Sequence, residues 1–187
     1  MQICVYCASS NNVPTRYFDV ARALGSGLAR RGWSLVYGGG SVGLMGALAV
    51  AVQADGGRVI GVIPQALLDR EVAYLQADEL LVTTTLRQRK QLMDDHADAF
   101  IALPGGFGTL EELLEIMTLR QLGYHDKPIL IVNTAGYFNP LLAQFAHIFA
   151  EGFSHSHYQN LYVVVESSEE ALELLAARAS SQQQDAQ

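Results

Sequence analysis

The sequence has little of what marks a secreted, membrane-spanning or metal-binding protein. Its 187 residues include only two cysteines, Cys4 and Cys7, and no apolar run approaches the ~20 residues that cross a bilayer. No basic segment precedes the apolar start, so we expect no signal peptide, no membrane partner and a cytoplasmic location. The five histidines form no metal-ligand spacing, and we expect no metal.

Positive charge is also scarce. Twelve basic residues stand against 19 acidic ones, for a net charge of −7, and only Lys90 and Lys127 are lysines. Such a chain lacks the broad basic surface with which proteins bind a nucleic-acid duplex, so we expect no nucleic-acid partner. A local anion site remains compatible with this charge. The triphosphatase pattern G-x-x-x-x-G-K-[ST] is absent.

The two cysteines have the C-x-x-C spacing of a redox pair, which normally lies where a strand turns into a helix. Cys4 instead lies inside the apolar run 3–6, and residues three apart on a strand face opposite sides. We therefore favour two reduced thiols, one of them in the core, over a redox site.

Short apolar runs alternate with longer amphipathic stretches along the chain. The runs predict strands at 3–6, 34–37, 58–63, 80–83, 99–103, 128–132 and 161–165. The amphipathic stretches predict helices at 15–31, 44–54, 86–95, 110–122, 140–151 and 169–178. One domain over residues 1–179 accommodates all of them, followed by a Ser/Gln-rich flexible tail at 180–187.

Strands without polar alternation are buried on both faces, and the helices between them serve as crossovers. This pattern predicts a single α/β domain, a Rossmann-like doubly wound parallel sheet with helices on both faces. Ligands in such sheets bind outside the carboxyl ends of the strands. We therefore expect the site within residues 7–12, 38–43 and 104–109, which each follow a strand.

Two of these segments are glycine-rich turns, at 38–46 and 104–109. Glycine lets the main chain approach a ligand closely, and the next helix presents unpaired amides and the positive end of its dipole. Either turn alone is typical of a tight connection between packed elements. Two at neighbouring strand ends favour a phosphate-bearing, nucleotide-type ligand.

The start of the fourth predicted helix, at 110–122, allows two interpretations. Thr109-x-x-Glu112 fits a capping box, in which Thr109 caps the helix and Glu112 reaches back. A helical wheel places a core stripe on one side and the glutamates Glu111, Glu112 and Glu115 on the other; the stripe comprises Leu110, Leu113, Leu114 and Met117. Ile116 and Leu119, however, flank Glu112. We therefore expect a raised Glu112 pKa and a ligand or second subunit covering that side.

The densest basic cluster is Arg87-Gln88-Arg89-Lys90, immediately before the strand that leads to the second glycine turn. The cluster is either a solvent-exposed helix face or the positive charge that neutralises the anionic ligand expected at the second glycine turn.

Together these motifs resemble the LOG ("Lonely guy") family of cytokinin riboside 5′-monophosphate phosphoribohydrolases. The family signature Pro-Gly-Gly-x-Gly-Thr-x-x-Glu is intact at 104–112, and the Arg-Lys pair matches Arg89-Lys90. The segments 7–10, 38–46, 70–71 and 122–128 match as well, and the similarity runs from about residue 2 to 165. Arg87-Gln88 departs from the Met-His that usually precedes the family's arginine, a difference that bears on base preference.

The resemblance implies hydrolysis of the N-glycosidic bond of a purine nucleoside 5′-monophosphate. The products are adenine, or an N6-prenylated adenine, and ribose 5-phosphate. No cofactor is implied. Family members of this length are homodimers with sites near the subunit interface, so a homodimer is expected.

Glycosidic cleavage builds an oxocarbenium-like ribose, which a carboxylate stabilises or which water attacks with a carboxylate's help. We assign that role to Glu112, with Arg89 as its orienting partner. The 5′-phosphate is assigned to the amides of the second glycine turn, with Lys90 nearby. Position in the family motif or in the strand-end loops adds further substrate-binding candidates. The full set is Ser9, Gly40, Met45, Glu71, Lys90, Gly106, Phe107, Gly108, Thr109, Leu110, Glu111 and Thr118.

Three other functions fit part of this pattern. The family is sometimes labelled lysine decarboxylase, a chemistry that needs pyridoxal phosphate on a lysine, and only Lys90 and Lys127 are available. A nucleotide-binding sensor without catalysis fits the fold, but Glu112 together with Arg89 argues against it. A dinucleotide oxidoreductase is disfavoured because no acidic residue ends the strand that follows the first glycine turn.

Overall fold

A computed structural model of the chain describes residues 1–70 and 73–185. It contains seven strands: β1 Gln2–Tyr6, β2 Ser34–Tyr37, β3 Val59–Pro64, β4 Glu79–Thr83, β5 Ala99–Ala102, β6 Ile129–Val132 and β7 Val163–Val165. The α-helices are α1 Thr15–Arg30, α2 Gly43–Ala54, α3 Gln65–Leu68, α4 Leu86–His96, α5 Phe107–Gln121, α6 Asn139–Ala150 and α7 Ser168–Asp185. Two 3-10 helices, Thr134–Gly136 and Ser156–Leu161, complete the described elements.

The seven strands form one parallel sheet in the order β4-β3-β2-β1-β5-β6-β7. The predicted doubly wound α/β fold is therefore confirmed. Strand order reverses at β1, which pairs with β2 on one side and β5 on the other, so that Cys4 lies beside both Val36 and Phe100. A crevice opens at the carboxyl ends of strands where the order reverses in this way.

Alternate side chains of the five central strands enter two different cores. Ile3 and Val5 of β1 pack into one core with Leu24 of α1, Leu48 of α2 and Leu172 of α7. The other core contains Cys4 and Tyr6 of the same strand together with buried residues of α4, α5 and α6, namely Met93, Leu113, Ile116 and Phe145. Burial on both faces is why the strands show no polar alternation in the sequence.

The start of α5 corrects one prediction. The helix begins at Phe107, three residues before the predicted start. Its N-cap is Gly106, which has no side chain with which to cap the helix. Thr109 therefore lies inside the first turn, with its side chain buried against Gly105, while the Glu112 side chain pairs with Arg89. The capping-box interpretation is wrong because both of its side chains are engaged elsewhere.

The buried stripe of α5 is also rotated from the one predicted. Its buried residues are Thr109, Glu112, Leu113 and Ile116. Leu114, assigned to the core by the helical wheel, is 41% exposed. The side of Glu112 and Ile116 faces this chain's own sheet, so neither a second subunit nor a ligand is needed to cover Ile116.

Further differences are local. Helix α7 continues to Asp185, whereas its predicted end was Arg178; flexibility of the tail stays a prediction. Cys4 and Cys7 are both free, as predicted, and both are buried, whereas the prediction placed one of them in the core. Among the described residues, no helix is long and apolar enough to cross a membrane.

Candidate active site

A cavity of about 470 Å³ opens at the carboxyl ends of the strands. The loops after β1, β2 and β5 form its walls together with the starts of α2 and α5 and with one side chain from α4. All three segments predicted to hold the site contribute to it. Its lining residues are Val5, Cys7, Ala8, Ser9, Gly38, Gly40, Val42, Met45, Ile63, Leu67, Arg89, Gly106, Phe107, Gly108, Thr109 and Glu112.

Glu112 is the buried acid of this cavity. Glu112 is only 9% exposed, and its Oε1 atom accepts a hydrogen bond of 2.9 Å from Nη2 of Arg89. Burial raises the pKa of Glu112 to about 7, against a smaller lowering by the positive charge of Arg89. The rise predicted from the sequence is confirmed in direction. A carboxyl with this pKa exchanges protons near neutral pH, as a general acid or base requires.

Arg89 reaches the cavity from α4. The helix is capped by Thr85, whose hydroxyl accepts a hydrogen bond of 3.1 Å from the amide of Gln88. The side-chain oxygen of Gln88 in turn accepts from the amide of Thr84 at 3.0 Å. This reciprocal arrangement is close to a capping box, formed at Thr85-x-x-Gln88 and not at the start of α5.

A glycine makes room for the guanidinium. A Cβ atom at Gly38 would overlap Nη2 of Arg89, so any larger residue there would displace the arginine. Nε of Arg89 is buried without a hydrogen-bond partner in the part of the chain that the structure describes. An unpaired buried donor is costly, and an acceptor from a bound ligand would satisfy it.

The first turn of α5 supplies the anion-binding groups. Within residues 1–70 and 73–185, the amides of Gly106, Phe107, Gly108 and Thr109 have no hydrogen-bond partner, and the first helical bond is donated by Leu110 to the Gly106 carbonyl. The amides therefore remain available to a phosphate, which the helix dipole also favours. The side chain of Thr109 lies against Gly105. A Cβ atom at Gly105 would overlap the Thr109 hydroxyl.

The remaining wall is apolar. Val42 and Met45 come from the loop before α2 and its first turn, and Ile63 and Leu67 come from β3 and α3. The cavity thus combines an ion pair, a row of amides and a hydrophobic surface, which suits a ligand with one anionic and one aromatic end.

Most of the predicted site residues lie around the cavity. Those that line it are Ser9, Gly40, Met45, Arg89, Gly106, Phe107, Gly108, Thr109 and Glu112. Glu71 lies outside the described residues. The lining residues Val5, Ile63 and Leu67 were missed by sequence reasoning. The carboxyl end of β3 could have indicated Ile63, because it lies at the same sheet edge as the glycine turns.

Four predicted residues do not line the cavity: Lys90, Leu110, Glu111 and Thr118. Lys90 pairs with Glu111 and, at 2.7 Å, with Glu115, so its charge ties α4 to α5. Leu110 packs against the second core. Thr118 lies on another face of α5, where its hydroxyl bonds the Leu114 carbonyl.

The chain is similar to one family model and to several known proteins. The family model described as "Possible lysine decarboxylase" matches residues 45–175. Cytokinin riboside 5′-monophosphate phosphoribohydrolase LOG1 of Arabidopsis thaliana is 46% identical over 93% of this chain and 82% of its own length. The cytokinin riboside 5′-monophosphate phosphoribohydrolase of Mycobacterium marinum is 44% identical over 93% of this chain and 92% of its own.

Solved structures share the fold at lower identity. A molybdenum cofactor binding protein from Rippkaea orientalis superposes with a TM-score of 0.74 at 24% identity, over 95% of this chain and 96% of that one. A Moco carrier protein from Chlamydomonas reinhardtii gives 0.73 at 21% identity, over 96% and 98%. At these identities the likeness establishes the architecture alone.

Proposed function

Because the chain belongs to the family described as possible lysine decarboxylases, together with the cytokinin riboside 5′-monophosphate phosphoribohydrolases, we propose that it is a phosphoribohydrolase. Its substrate is a purine nucleoside 5′-monophosphate, with adenine or an N6-modified adenine as the base. The reaction cleaves the N-glycosidic bond and yields the free base and ribose 5-phosphate.

The observation that carries the proposal is Glu112 in its setting. A buried carboxyl with a pKa of about 7 is paired with Arg89 in a cavity that also presents the free amides at the start of α5. The amides hold the 5′-phosphate, and this remote contact places the ribose against the carboxylate. The positive charge of Arg89 favours the ionised form of Glu112 that the chemistry requires.

In the reaction the bond between C1′ and the base nitrogen breaks, and its electron pair leaves with the base. The ribose takes on oxocarbenium character, and the negative charge of Glu112 stabilises it. Water adds to C1′. The carboxylate of Glu112 accepts the proton that water loses. That same proton then passes to the departed base, so Glu112 returns to its ionised form and one water is consumed overall.

The apolar wall accounts for the aromatic base. Val42, Met45, Ile63 and Leu67 offer a surface on which a purine and an apolar N6 substituent can both be buried. Adenine monophosphates and their N6-prenylated forms are therefore both included in the proposed substrate class.

Lysine decarboxylation, suggested by the family description, is not favoured. Neither of the two lysines lines the cavity. Lys90 is held by Glu111 and Glu115, and Lys127 donates a hydrogen bond of 2.6 Å to the carbonyl of Asp94. A Schiff base needs a lysine amine that reaches the cofactor, and neither side chain is placed to do so.

The test is a panel of nucleoside 5′-monophosphates, including AMP and N6-isopentenyl-AMP, incubated with purified protein and analysed by chromatography. We expect free base and ribose 5-phosphate in equal amounts, and a loss of about 10²–10⁴-fold in rate for Glu112→Gln. Binding of a monophosphate without base release would instead favour the non-catalytic sensor.

We also propose that the protein is a homodimer. A second cavity, of about 260 Å³, lies between α5, α6 and the 3-10 helix Ser156–Leu161, and Leu114, Met117 and Phe149 line it. Phe153, at its edge, is 85% exposed. Apolar side chains grouped on one face are typical of a surface covered by a partner, and Thr118 lies on the same face.

A further inference from the structure

One hydrogen bond joins the glycine turn before α5 to a distant part of the chain. The hydroxyl of Tyr137 donates to the carbonyl of Gly105 at 2.6 Å. Gly105 immediately precedes Gly106, the N-cap of α5 and the first of the four amides assigned to the phosphate. The bond therefore acts on the peptide unit that connects these two glycines.

That peptide unit is trans, as are the others described in the chain. In a trans peptide the carbonyl oxygen of one residue and the amide hydrogen of the next point in opposite directions. Fixing the Gly105 carbonyl toward Tyr137 thus aims the Gly106 amide away from Tyr137. Two glycines in succession offer little steric resistance to rotation of the peptide between them, so an external contact is needed to hold it.

The residues that line two neighbouring cavities agree with this orientation of the Gly105–Gly106 peptide. Tyr137 and Gly105 line a small cavity of about 210 Å³, and neither lines the main cavity. Gly106 lines both, so it lies at the boundary between them. The side opposite Tyr137 is the one on which Arg89 and Glu112 are found.

Tyr137 is 40% exposed and is supported by two neighbouring rings and by the turn that carries it. Its ring packs edge-on against Tyr17, with centroids 5.8 Å apart, and against Phe138 at 5.0 Å. The turn that delivers it contains Ala135 with φ of 53°, a left-handed conformation that costs an L-residue on the order of 1 kcal/mol. The side chain of Asn133 stabilises this turn by accepting a hydrogen bond of 2.8 Å from the amide of Phe138.

We propose that Tyr137 is a positioning residue for phosphate binding: its hydroxyl holds the Gly105–Gly106 peptide so that the Gly106 amide faces the substrate phosphate. The inference rests on the proposed function, because that function places the phosphate at α5. It adds a residue 31 positions beyond Gly106 that never touches the substrate. Tyr137 acts on affinity for the phosphate group and leaves the contacts of the base unchanged.

The test compares a ligand with and without the phosphate. Glu112→Gln, which prevents turnover, serves as the background, and binding of AMP and of adenosine is measured by calorimetry with and without Tyr137→Phe. We expect Tyr137→Phe to weaken AMP roughly five- to tenfold, the usual effect of one hydrogen bond, and to leave adenosine unchanged. Tyr17→Phe is the matched control, because its ring packs on Tyr137 while its hydroxyl only accepts from Arg16 at 3.4 Å. It should change neither affinity.

The inference is overturned if Tyr137→Phe binds AMP as tightly as the background protein, or if AMP and adenosine weaken in the same proportion. It is also overturned if the background protein binds AMP no more tightly than adenosine, since the amides then hold no phosphate. The proposed function is judged separately, by base release from AMP with the unmodified chain. Failure there, with a tyrosine-dependent preference for AMP, refutes the activity and supports the positioning role.

Discussion

The pair of Glu112 and Arg89 shows how one residue's environment sets its chemistry. An ordinary glutamate is fully ionised at neutral pH. Burial between α5 and the sheet raises the Glu112 pKa, and Arg89 limits the rise. The carboxyl consequently titrates close to the pH at which it must act.

The first prediction concerns the pH dependence of activity. Because the reaction requires ionised Glu112, kcat should rise with pH through the pKa of about 7 and then level off. Replacing Arg89 by Gln removes the positive charge that lowers this pKa, so the rise should move to higher pH. Initial rates across a pH series measure both. A profile that is flat between pH 5 and 9 would contradict the role of Glu112.

The same carboxyl predicts a pH-dependent stability. Its pKa is about 7 in the folded chain and 4.5 when unperturbed, so between these values only the folded state keeps the proton. The unfolded state therefore gains relative stability as pH rises from 4.5 to 7, on the order of 3 kcal/mol in total.

Glu112→Gln lacks this titration and should become progressively more stable than the unmodified chain across that range. Urea unfolding of both proteins at matched pH values measures the difference. A difference in unfolding free energy that stays constant with pH would show that the Glu112 pKa is not raised.

At the scale of elements, α4 and α5 form one unit that carries the ion pair. Lys90 of α4 pairs with Glu111 and Glu115 of α5, close to the contact between Arg89 and Glu112. Exposed ion pairs contribute little, but several that share one lysine restrict how the helices slide. The placement of Lys90 in this contact, away from the cavity, fits a structural role.

Helix α4 also yields a prediction. Thr85 caps it, four residues before Arg89, so Thr85→Ala should lower the unfolding free energy by about 1 kcal/mol. Because the loosened first turn carries Arg89, kcat should fall as well. Thr85→Ser keeps the hydroxyl and should restore both values. Urea unfolding and initial rates measure them; equal stability of the Ala and Ser variants would show that the cap contributes nothing.

For the whole molecule, the distribution of exposed apolar side chains predicts the assembly. On α5, Leu114 is exposed and Met117 beside it is only partly buried, because the helix is rotated so that Glu112 and Ile116 face the sheet. Two copies of the chain that pack through this face of α5 remove its apolar side chains from water. The resulting dimer contains two active-site cavities.

Light scattering should therefore give a mass of twice 20.3 kDa for the chain in solution. Phe153→Asp places a charge on the exposed apolar face and should give a monomer with unchanged thermal stability of the fold. Leu75→Asp is the control, since Leu75 is equally apolar and 71% exposed but lies outside that cavity. A monomeric unmodified chain would refute the dimer, and dissociation by both variants would refute the choice of face.

The architecture follows from local pattern. Buried strands such as β3 read as unbroken apolar runs, and each glycine turn directly follows a strand. Parallel strands bring their carboxyl ends to one edge, so the position of the cavity could be predicted before any contact was known. The resemblance to a family motif then pointed to Glu112 and Arg89.

Other features were decided only by tertiary contacts. The wheel for α5 predicted a buried Leu114 and placed Glu112 on the side away from the core stripe. The partner Arg89, 23 residues away, allows a carboxyl to be buried in place of a leucine. The contact of Tyr137 with Gly105 spans 32 residues and leaves no periodic trace in the sequence. Periodicity reports which elements form and which residues are apolar. The rotation of a helix, and the side chain that fixes a distant peptide, depend on neighbours that only the folded chain brings together.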